Sequence, residues 1–249
     1  MQKIDRQMAL RYHRQISLPD VDLNGQECWM NAKVLLLGVG GLGCTAAQNL
    51  VGAGVGKLVL VDDDRVELNN IHRQVLHYEN DVGRLKVESA KETLLTINSS
   101  CDIDTVARRL EDIELLNYIE QADIVLDCSD NLETRKQVNR LCWQAGTALI
   151  SGAATRLEGQ LLCLVPGREN PCYECFSRLF PEQELSCSEA GVMPPVVSII
   201  GAMQAMEALK LLINLGKTPV GKLLMFDFQT NEWRQFNLVK DPQCSVCGE

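Results

Sequence analysis

The chain has 249 residues, of which 46% are hydrophobic and 23% charged, as in a globular protein that buries a core. Its formal net charge of −9 argues against a nucleic-acid or membrane-surface binder, because such proteins present basic surfaces. The N-terminus lacks the apolar segment of a signal peptide, and no uninterrupted apolar run is long enough to span a bilayer, so we expect a cytoplasmic protein. Eleven cysteines, an odd number, disfavour a disulfide framework and leave metal binding, catalysis or burial.

The chain begins with a predicted short helix, from residue 5 to about residue 15, with Asp5 as its N-cap. Arg11 and Arg14 are three residues apart and share one face of that helix. On the residues alone, a solvated face is the simpler interpretation of these arginines. Residues 19 to about 25 are expected to form a loop.

An apolar strand at 33–37 then runs into a glycine turn. Gly38, Gly40 and Gly43 have the G-x-G-x-x-G spacing, which allows a tight turn and a close approach of backbone to a phosphate. Chance glycines often match this pattern, so its value depends on the residues after the turn. A helix is predicted to run from about residue 42 to 53 and a strand from 57 to 61. Asp62 then stands about 20 residues past the turn, where a ribose-binding acid belongs, although it could also merely cap a loop.

The loop at 62–74 is dense in acids, asparagines and arginine, which a hydride-transfer site does not need. A triphosphate with a divalent metal needs cationic donors on one side and carboxylates on the other. Lys86 is the first residue of a predicted helix that runs to about residue 97. A cation at the start of a helix is unfavourable with the helix dipole, so an anion bound nearby would explain its position. An ordinary surface lysine is the alternative. Asp130 follows the predicted strand at 123–127, at the same sheet edge as Asp62. Asp130 is therefore a candidate Mg²⁺ ligand, a helix cap, or both.

The second half predicts strands at about 147–151 and 159–165, an apolar helix from about 195 to 215, and an antiparallel hairpin of strands 222–228 and 232–238. The apolar helix suggests core or subunit interface. The expected fold is an α/β Rossmann-like mixed sheet, parallel in its N-terminal half and antiparallel in its C-terminal half.

Two C-x-x-C pairs, Cys172 with Cys175 and Cys244 with Cys247, supply four thiolates, the number that a tetrahedral structural zinc site uses. Their wide separation requires a folded domain to bring them together. A single redox-active C-x-x-C is the alternative, but it leaves the second pair unexplained. A further thiol, Cys187, lies in a polar segment between the pairs. The other cysteines are expected to be buried fillers: Cys28, Cys44, Cys101, Cys128, Cys142 and Cys163.

Together these segments resemble the ubiquitin-activating-enzyme superfamily in its short bacterial form. The resemblance rests on six features spread over nearly the whole chain: residues 11–15, 38–43 and 62–74, Lys86, residues 127–131, and the paired cysteine motifs. It implies a single domain, 1–249, whose part at about 30–150 binds the nucleotide. The part at about 151–249 would dock a carrier protein and bind zinc.

The resemblance implies ATP-dependent adenylylation of the C-terminal glycine carboxylate of a small ubiquitin-like sulfur-carrier protein ending in Gly-Gly. The carrier of molybdenum-cofactor biosynthesis is favoured over the carrier of thiamine biosynthesis. A carboxylate is already an adequate nucleophile, so alignment and charge neutralisation suffice for catalysis, and no histidine, His72 included, receives a role.

The resemblance also implies roles for individual residues. The implied cofactors are ATP, Mg²⁺ and structural Zn²⁺. In a homodimer, Arg14 would reach the partner's ATP site, and Cys187 could carry the activated carboxyl or a disulfide. The expected ATP-binding set is Gly38, Gly40, Gly41, Gly43, Asp62, Asn69, Asn70, Arg73, Lys86, Asp130 and Asn131.

Two other classes of function share part of this pattern. A nicotinamide-dependent oxidoreductase would have the glycine turn but not the loop at 62–74. A non-catalytic binder of a ubiquitin-like protein should have lost phosphate ligands, whereas Arg73, Lys86 and Asp130 are all present.

Overall fold

The structure, a computed structural model, describes residues 3–179 and 191–248. Within these ranges one mixed sheet is flanked by helices. Its strands are β1 (Lys33–Leu37), β2 (Lys57–Val61), β3 (Asp102–Val106), β4 (Ile124–Asp127), β5 (Ala148–Thr155), β6 (Glu158–Leu164), β7 (Lys222–Asp227) and β8 (Glu232–Asn237). The helices are α1 (Arg6–Arg11), α2 (His13–Ile16), α3 (Asp22–Asn31), α4 (Gly41–Ala53), α5 (Lys86–Ile97), α6 (Asp112–Glu120), α7 (Leu132–Ala145), α8 (Tyr173–Ser177) and α9 (Pro194–Leu212).

The sheet has eight strands in the order β3-β2-β1-β4-β5-β6-β7-β8. Every pairing from β3 through β5 is parallel, whereas β6, β7 and β8 join in antiparallel fashion. The expected fold class is therefore confirmed. The parallel strands are nearly continuous apolar runs because helices cover both of their faces.

The two faces of the sheet form separate cores, since successive strand side chains point in opposite directions. Val34 and Leu36 of β1 face the layer that contains α4, α5 and α9. Leu35 and Leu37 face the layer that contains α6 and α7. This alternation fixes β1 in the centre and brings the turn after it to the carboxyl edge of the sheet.

Helix α9 is, by length and composition, the one helix of the described residues apolar enough to cross a membrane. Its position is that of a core helix, because Val196, Ile200 and Ala208 are buried within the α4 side of the core. The Nε2 group of Gln204, fully buried, donates to the carbonyls of Asp127 (2.8 Å) and Ile150 (3.2 Å). This helix is therefore held to strands β4 and β5 by hydrogen bonds as well as by apolar contact.

The N-terminal segment differs in part from the sequence prediction. Asp5 is the N-cap of α1, and its carboxylate accepts from the Met8 backbone N–H at 2.8 Å, as predicted. The loop expected at 19–25 is wrong, because α3 begins at Asp22. Gly25 allows this helix to pack closely, since a Cβ there would lie 3.1 Å from Ile213 Cδ1. Cys28 lies on the exposed side of α3, so its expected burial is also wrong.

The remaining filler cysteines are buried as predicted: Cys44, Cys101, Cys128, Cys142 and Cys163. The C-terminal hairpin is also confirmed, with β7 paired antiparallel to β8. Asn231 in its turn has a φ of 59°, a left-handed conformation that asparagine tolerates well.

Candidate functional site

A cleft of about 870 Å³ opens at the carboxyl edge of the parallel strands. This is the place where open α/β sheets bind ligands. Its walls come from the glycine turn after β1, the acidic loop after β2, the first residue of α5 and the loop between β4 and α7. Nine of the eleven residues expected to bind ATP line it: Gly38, Gly40, Gly41, Asp62, Asn70, Arg73, Lys86, Asp130 and Asn131.

The glycine turn forms the floor of the cleft. Gly38 has a φ of +88°, and a Cβ there would lie 2.8 Å from the Cys128 carbonyl oxygen. Gly43 does not line the cleft; it packs the helix on the turn, because a Cβ there would lie 1.8 Å from the Gly38 carbonyl oxygen. Gly40 is different, since the nearest atom to its hypothetical Cβ is Gln74 Nε2 at 3.8 Å. The space above Gly40 is therefore free for a ligand.

The N-terminus of α4 faces this space. Gly40 is the N-cap of the helix and has no side chain to accept from the first-turn amides. The N–H groups of a helix start attract anions, both as donors and through the helix dipole. A phosphate above Gly40 would satisfy groups that the chain itself leaves without side-chain acceptors.

Asp62, the residue after β2, holds the glycine turn in place by a hydrogen bond. Its carboxylate accepts from the Val39 N–H at 2.6 Å and from the Asp64 N–H at 2.8 Å. Burial raises the pKa of this carboxyl, and the Lys86 ammonium opposes that effect. The same carboxylate that could bind a ribose thus already orders the phosphate-binding turn.

Lys86 is the first residue of α5, with only 8% of its side chain exposed. Its ammonium lies 2.7 Å from the Asp64 carboxylate. Burial lowers the pKa of Lys86, but the nearby carboxylates of Asp62 and Asp64 outweigh it and hold the pKa above its ordinary value. Lys86 is therefore a buried cation, paired with a largely exposed carboxylate that an incoming phosphate could replace.

The loop after β2 forms a second polar wall, in which Arg73 supplies the positive charge and asparagines supply neutral amides. The Asn70 side chain is buried, with its Oδ1 accepting from Glu67 N and its Nδ2 donating to Asn69 Oδ1 at 2.6 Å. The Arg73 guanidinium donates to the Asn69 carbonyl oxygen at 2.6 Å. Asn69 itself lies outside the cleft lining and orients its neighbours. This loop presents Arg73 toward the cleft.

Asp130 lies at the opposite wall, in the exposed loop after β4. The capping role considered for it belongs to Asn131, whose side chain accepts from the Thr134 N–H at 2.8 Å. The carboxylates that could share a cation among the described residues are those of Asp62, Asp63 and Asp64, within 4.8 Å of one another, and Asp130 is not among them. Asp130 could therefore hold a Mg²⁺ only together with oxygens from a ligand, a common arrangement for Mg²⁺ on phosphates.

Several residues that line the cleft were not predicted from the sequence. Gln74 is 3% exposed, and its Oε1 has no hydrogen-bond partner among the described residues. A buried unsatisfied oxygen is costly, and the residue that carries it lines the cleft. Arg109 also lines the cleft and lies 3.2 Å from the Asp63 carboxylate. Gln74 directly follows Arg73 in the predicted loop, so its position in the chain was the available signal.

One expected site residue, Arg14, lies elsewhere. Arg14 is an exposed residue of α2 and does not line the cleft of its own chain. Cys187 falls in 180–190, outside the described residues.

The two C-x-x-C pairs meet in one buried cluster. Cys172 Sγ lies 3.6 Å from Cys244 Sγ, and Cys175 Sγ lies 3.4 Å from Cys247 Sγ. All four sulfurs lie within 4.8 Å of one another. A tetrahedral zinc with Zn–S bonds of about 2.3 Å needs sulfurs about 3.8 Å apart, so the thiols fit this metal. Trp143 of α7 packs against the cluster.

Burial raises the pKa of the Cys172 thiol to about 11, so this thiol holds its proton at neutral pH. Zinc binds thiolates, so its binding would release protons. Four sulfur ligands complete the tetrahedral coordination of a zinc ion, so no position is left for a water or substrate, and the site would be structural.

The fold and the cleft together define a nucleotide-binding α/β protein with a separate four-cysteine centre. The model of the ThiF family matches residues 12–246, and the chain belongs to this family.

Three relatives show the range of the similarity. Molybdopterin-synthase adenylyltransferase of Escherichia coli K12 is 47% identical over 249 residues, 100% of each chain. Sulfur carrier protein ThiS adenylyltransferase of the same organism is 42% identical over 239 residues, 96% of this chain and 95% of that one. The crystal structure of E. coli MccB with ATP superposes with a TM-score of 0.81 at 26% identity, covering 96% of this chain and 74% of that one.

Proposed function

We propose that this protein adenylylates the C-terminal glycine carboxylate of a small ubiquitin-like sulfur carrier, the small subunit of molybdopterin synthase, in molybdenum-cofactor biosynthesis. The observation that supports this class of reaction is the lining of the cleft. It combines a glycine turn that leaves free space at Gly40 with the buried cation Lys86. The 47% identity over the full length of molybdopterin-synthase adenylyltransferase supports the choice of carrier.

In the proposed reaction a carboxylate oxygen of the carrier attacks the α-phosphorus of ATP. The bond from that phosphorus to the bridging oxygen breaks, and the electron pair leaves with pyrophosphate. The products are an acyl-adenylate and pyrophosphate, and no proton has to be removed from the nucleophile. Catalysis therefore consists of alignment and charge neutralisation.

The proposed ATP ligands follow from their places in the cleft. Gly41 lies against the nucleotide, and Asp62 binds its ribose. Asn70, Arg73 and Lys86 neutralise the phosphates, with Lys86 exchanging its contact to the exposed Asp64 carboxylate for a phosphate oxygen. Charge-assisted contacts of this kind strengthen as charge develops on the leaving group.

A bound Mg²⁺ would lower the negative charge of the phosphates. We assign its protein ligand to Asp130, because that carboxylate is exposed to the cleft. Asn131 belongs to the same wall of the cleft as Asp130, and Asn69 orients Asn70 and Arg73 in the other wall.

We further propose a homodimer in which Arg14 enters the partner's ATP site. Its exposure on α2, away from its own cleft, leaves it free to act in that way. A catalytic role for Cys187 belongs to the same proposal, as does a cytoplasmic location.

The four buried cysteines are proposed to bind one structural zinc ion. The metal would tie residues 244–247 to the segment that begins at Cys172. On this view the part at about 30–150 binds the nucleotide, while the part at about 151–249 docks the carrier and holds zinc.

The carrier of thiamine biosynthesis is the second candidate. It is favoured by the 42% identity to ThiS adenylyltransferase over 96% of this chain. The two candidates share one reaction, so only the protein substrate separates them.

The test is exchange of labelled pyrophosphate into ATP, measured with the molybdopterin-synthase small subunit, with ThiS, and with each carrier shortened by its last glycine. Exchange that requires the molybdopterin-synthase carrier and its terminal glycine is the expected result. Exchange with ThiS alone would transfer the assignment to the second candidate, and no exchange with either carrier would refute the proposed reaction.

A further inference from the structure

His77 is a fully internal histidine, 2% exposed, in the segment that follows the cleft loop. Its two ring nitrogens reach two different elements. Nε2 lies 3.3 Å from the Val39 carbonyl oxygen in the glycine turn. Nδ1 lies 2.8 Å from Ser89 Oγ in α5.

The ring bridges the glycine turn and α5 through both of its nitrogens. The Val39 carbonyl oxygen only accepts, so its contact with Nε2 is a hydrogen bond when that nitrogen carries the hydrogen. Cys44 Sγ lies 3.7 Å from the same nitrogen. The Ser89 hydroxyl beside Nδ1 also bonds to the Asp81 carboxylate and helps to lower the pKa of that group. Burial lowers the pKa of His77, which favours the neutral ring.

The two elements that His77 joins are those expected to bind phosphate. Val39 stands between Gly38 and Gly40, and its N–H is already held by the Asp62 carboxylate at 2.6 Å. Ser89 lies one helical turn after Lys86. The Val39 N–H is thus held by Asp62, and its carbonyl oxygen contacts both Cys44 Sγ, at 3.4 Å, and His77 Nε2. Of these side chains, His77 also contacts the helix that carries Lys86.

We propose that His77 is a positioning residue for ATP, which sets the glycine turn and Lys86 at the spacing that the phosphates require. The inference rests on the proposed function, but His77 itself does not line the cleft. Its effect should therefore appear in the binding of the nucleotide and not in the binding of the carrier.

The experiment compares four variants with the wild type. His77→Phe removes both hydrogen bonds while keeping a ring, and His77→Gln keeps an amide N–H that can donate to Val39. Ser89→Ala removes the second bond, together with the bond from Ser89 to the Asp81 carboxylate. Asn98→Ala is the matched control, because Asn98 is a buried bridge away from the cleft whose Nδ2 donates to Tyr12 Oη (2.9 Å) and Val51 O (3.0 Å).

Two quantities are measured: the affinity for a non-hydrolysable ATP analogue without carrier, and the KM values for ATP and for carrier in the exchange assay. These bonds hold the turn and the helix of the free protein in the arrangement that binds ATP, so the loss of one of ordinary strength lowers the population of that arrangement, and with it the apparent affinity, by up to roughly tenfold. We expect His77→Phe to weaken analogue binding and raise the KM for ATP by about tenfold, with the KM for carrier unchanged. His77→Gln should recover most of this loss, and Ser89→Ala should show about a threefold loss, estimated from one weaker neutral bond.

Asn98→Ala should lower the melting temperature without changing either KM. The inference is overturned if folded His77→Phe binds the analogue as the wild type does, or if its two KM values rise together. If His77→Phe does not fold, Ser89→Ala decides, and wild-type analogue binding in that variant overturns the inference. Analogue binding needs no carrier, so the role of His77 can be tested even if the proposed reaction with the carrier fails.

Discussion

The free space above Gly40 makes Gly40→Ala the sharpest test of where a phosphate binds. The added methyl would meet no atom closer than Gln74 Nε2 at 3.8 Å, an ordinary van der Waals contact. Gly40 is also the N-cap of α4, where alanine is worse than glycine. The free energy of unfolding should therefore change by no more than about 1 kcal/mol, or about 2–4 °C in melting temperature for a chain of this size.

ATP binding should respond much more strongly to the same change. If a phosphate approaches the turn as closely as a hydrogen bond requires, the methyl occupies its place. A loss of at least tenfold in affinity, about 1.4 kcal/mol, is expected. The measurement is the KM for ATP in pyrophosphate exchange, together with direct binding of an ATP analogue.

Two glycines of the same helix provide matched controls. Gly52→Ala meets nothing within 4 Å, so it should leave the KM unchanged and stabilise the helix slightly. Gly43→Ala places its methyl 1.8 Å from the Gly38 carbonyl oxygen, so it should lower both stability and binding. A Gly40→Ala protein that keeps the wild-type KM for ATP would refute the assignment of the turn as the phosphate floor.

Three further predictions concern the cleft wall, the cysteine cluster and the buried histidine. Asp130→Ala should leave the melting temperature unchanged and abolish exchange; activity within tenfold of wild type, about 1.4 kcal/mol, would contradict the Mg²⁺ assignment. Cys172→Ser should lower the melting temperature and the zinc content, and elemental analysis that finds no zinc in wild type purified without chelator would disprove the metal site. His77 has a lowered pKa, so its contribution to stability is present above pH about 6.5 and is lost as pH falls through its folded-state pKa. The unfolding free energy of wild type should thus fall more steeply below pH about 6.5 than that of His77→Gln, and equal slopes in urea titrations would contradict this.

The elements that could be predicted from the sequence are those with a local signal. Strands β1, β2 and β4 are short apolar runs bounded by turns, and helices follow them at regular spacing. The two C-x-x-C pairs indicated a joint site because neither pair alone completes a tetrahedron. The structure brings them together across 72 residues of chain.

Other features depend on packing that no local pattern reveals. The first turn of helix α3, residues 22–25, falls in a predicted loop because Pro19 and Gly25 usually mark turns, yet Gly25 serves here for close contact with Ile213. Cys28 was expected inside because cysteine is often buried, but the helix turns it outward. His77 gave no sequence signal for its proposed role, because that role depends on the distant backbone group beside the ring. Gln74 had only its position after Arg73 as a signal.

We propose above all that this protein activates the C-terminal carboxylate of one sulfur carrier. Carrier-dependent exchange of labelled pyrophosphate into ATP tests this proposal, with the molybdopterin-synthase small subunit and ThiS compared at equal concentration. We expect exchange with the molybdopterin-synthase carrier that disappears when its last glycine is removed. Exchange that is absent with both carriers, or unaffected by removal of that glycine, would contradict it.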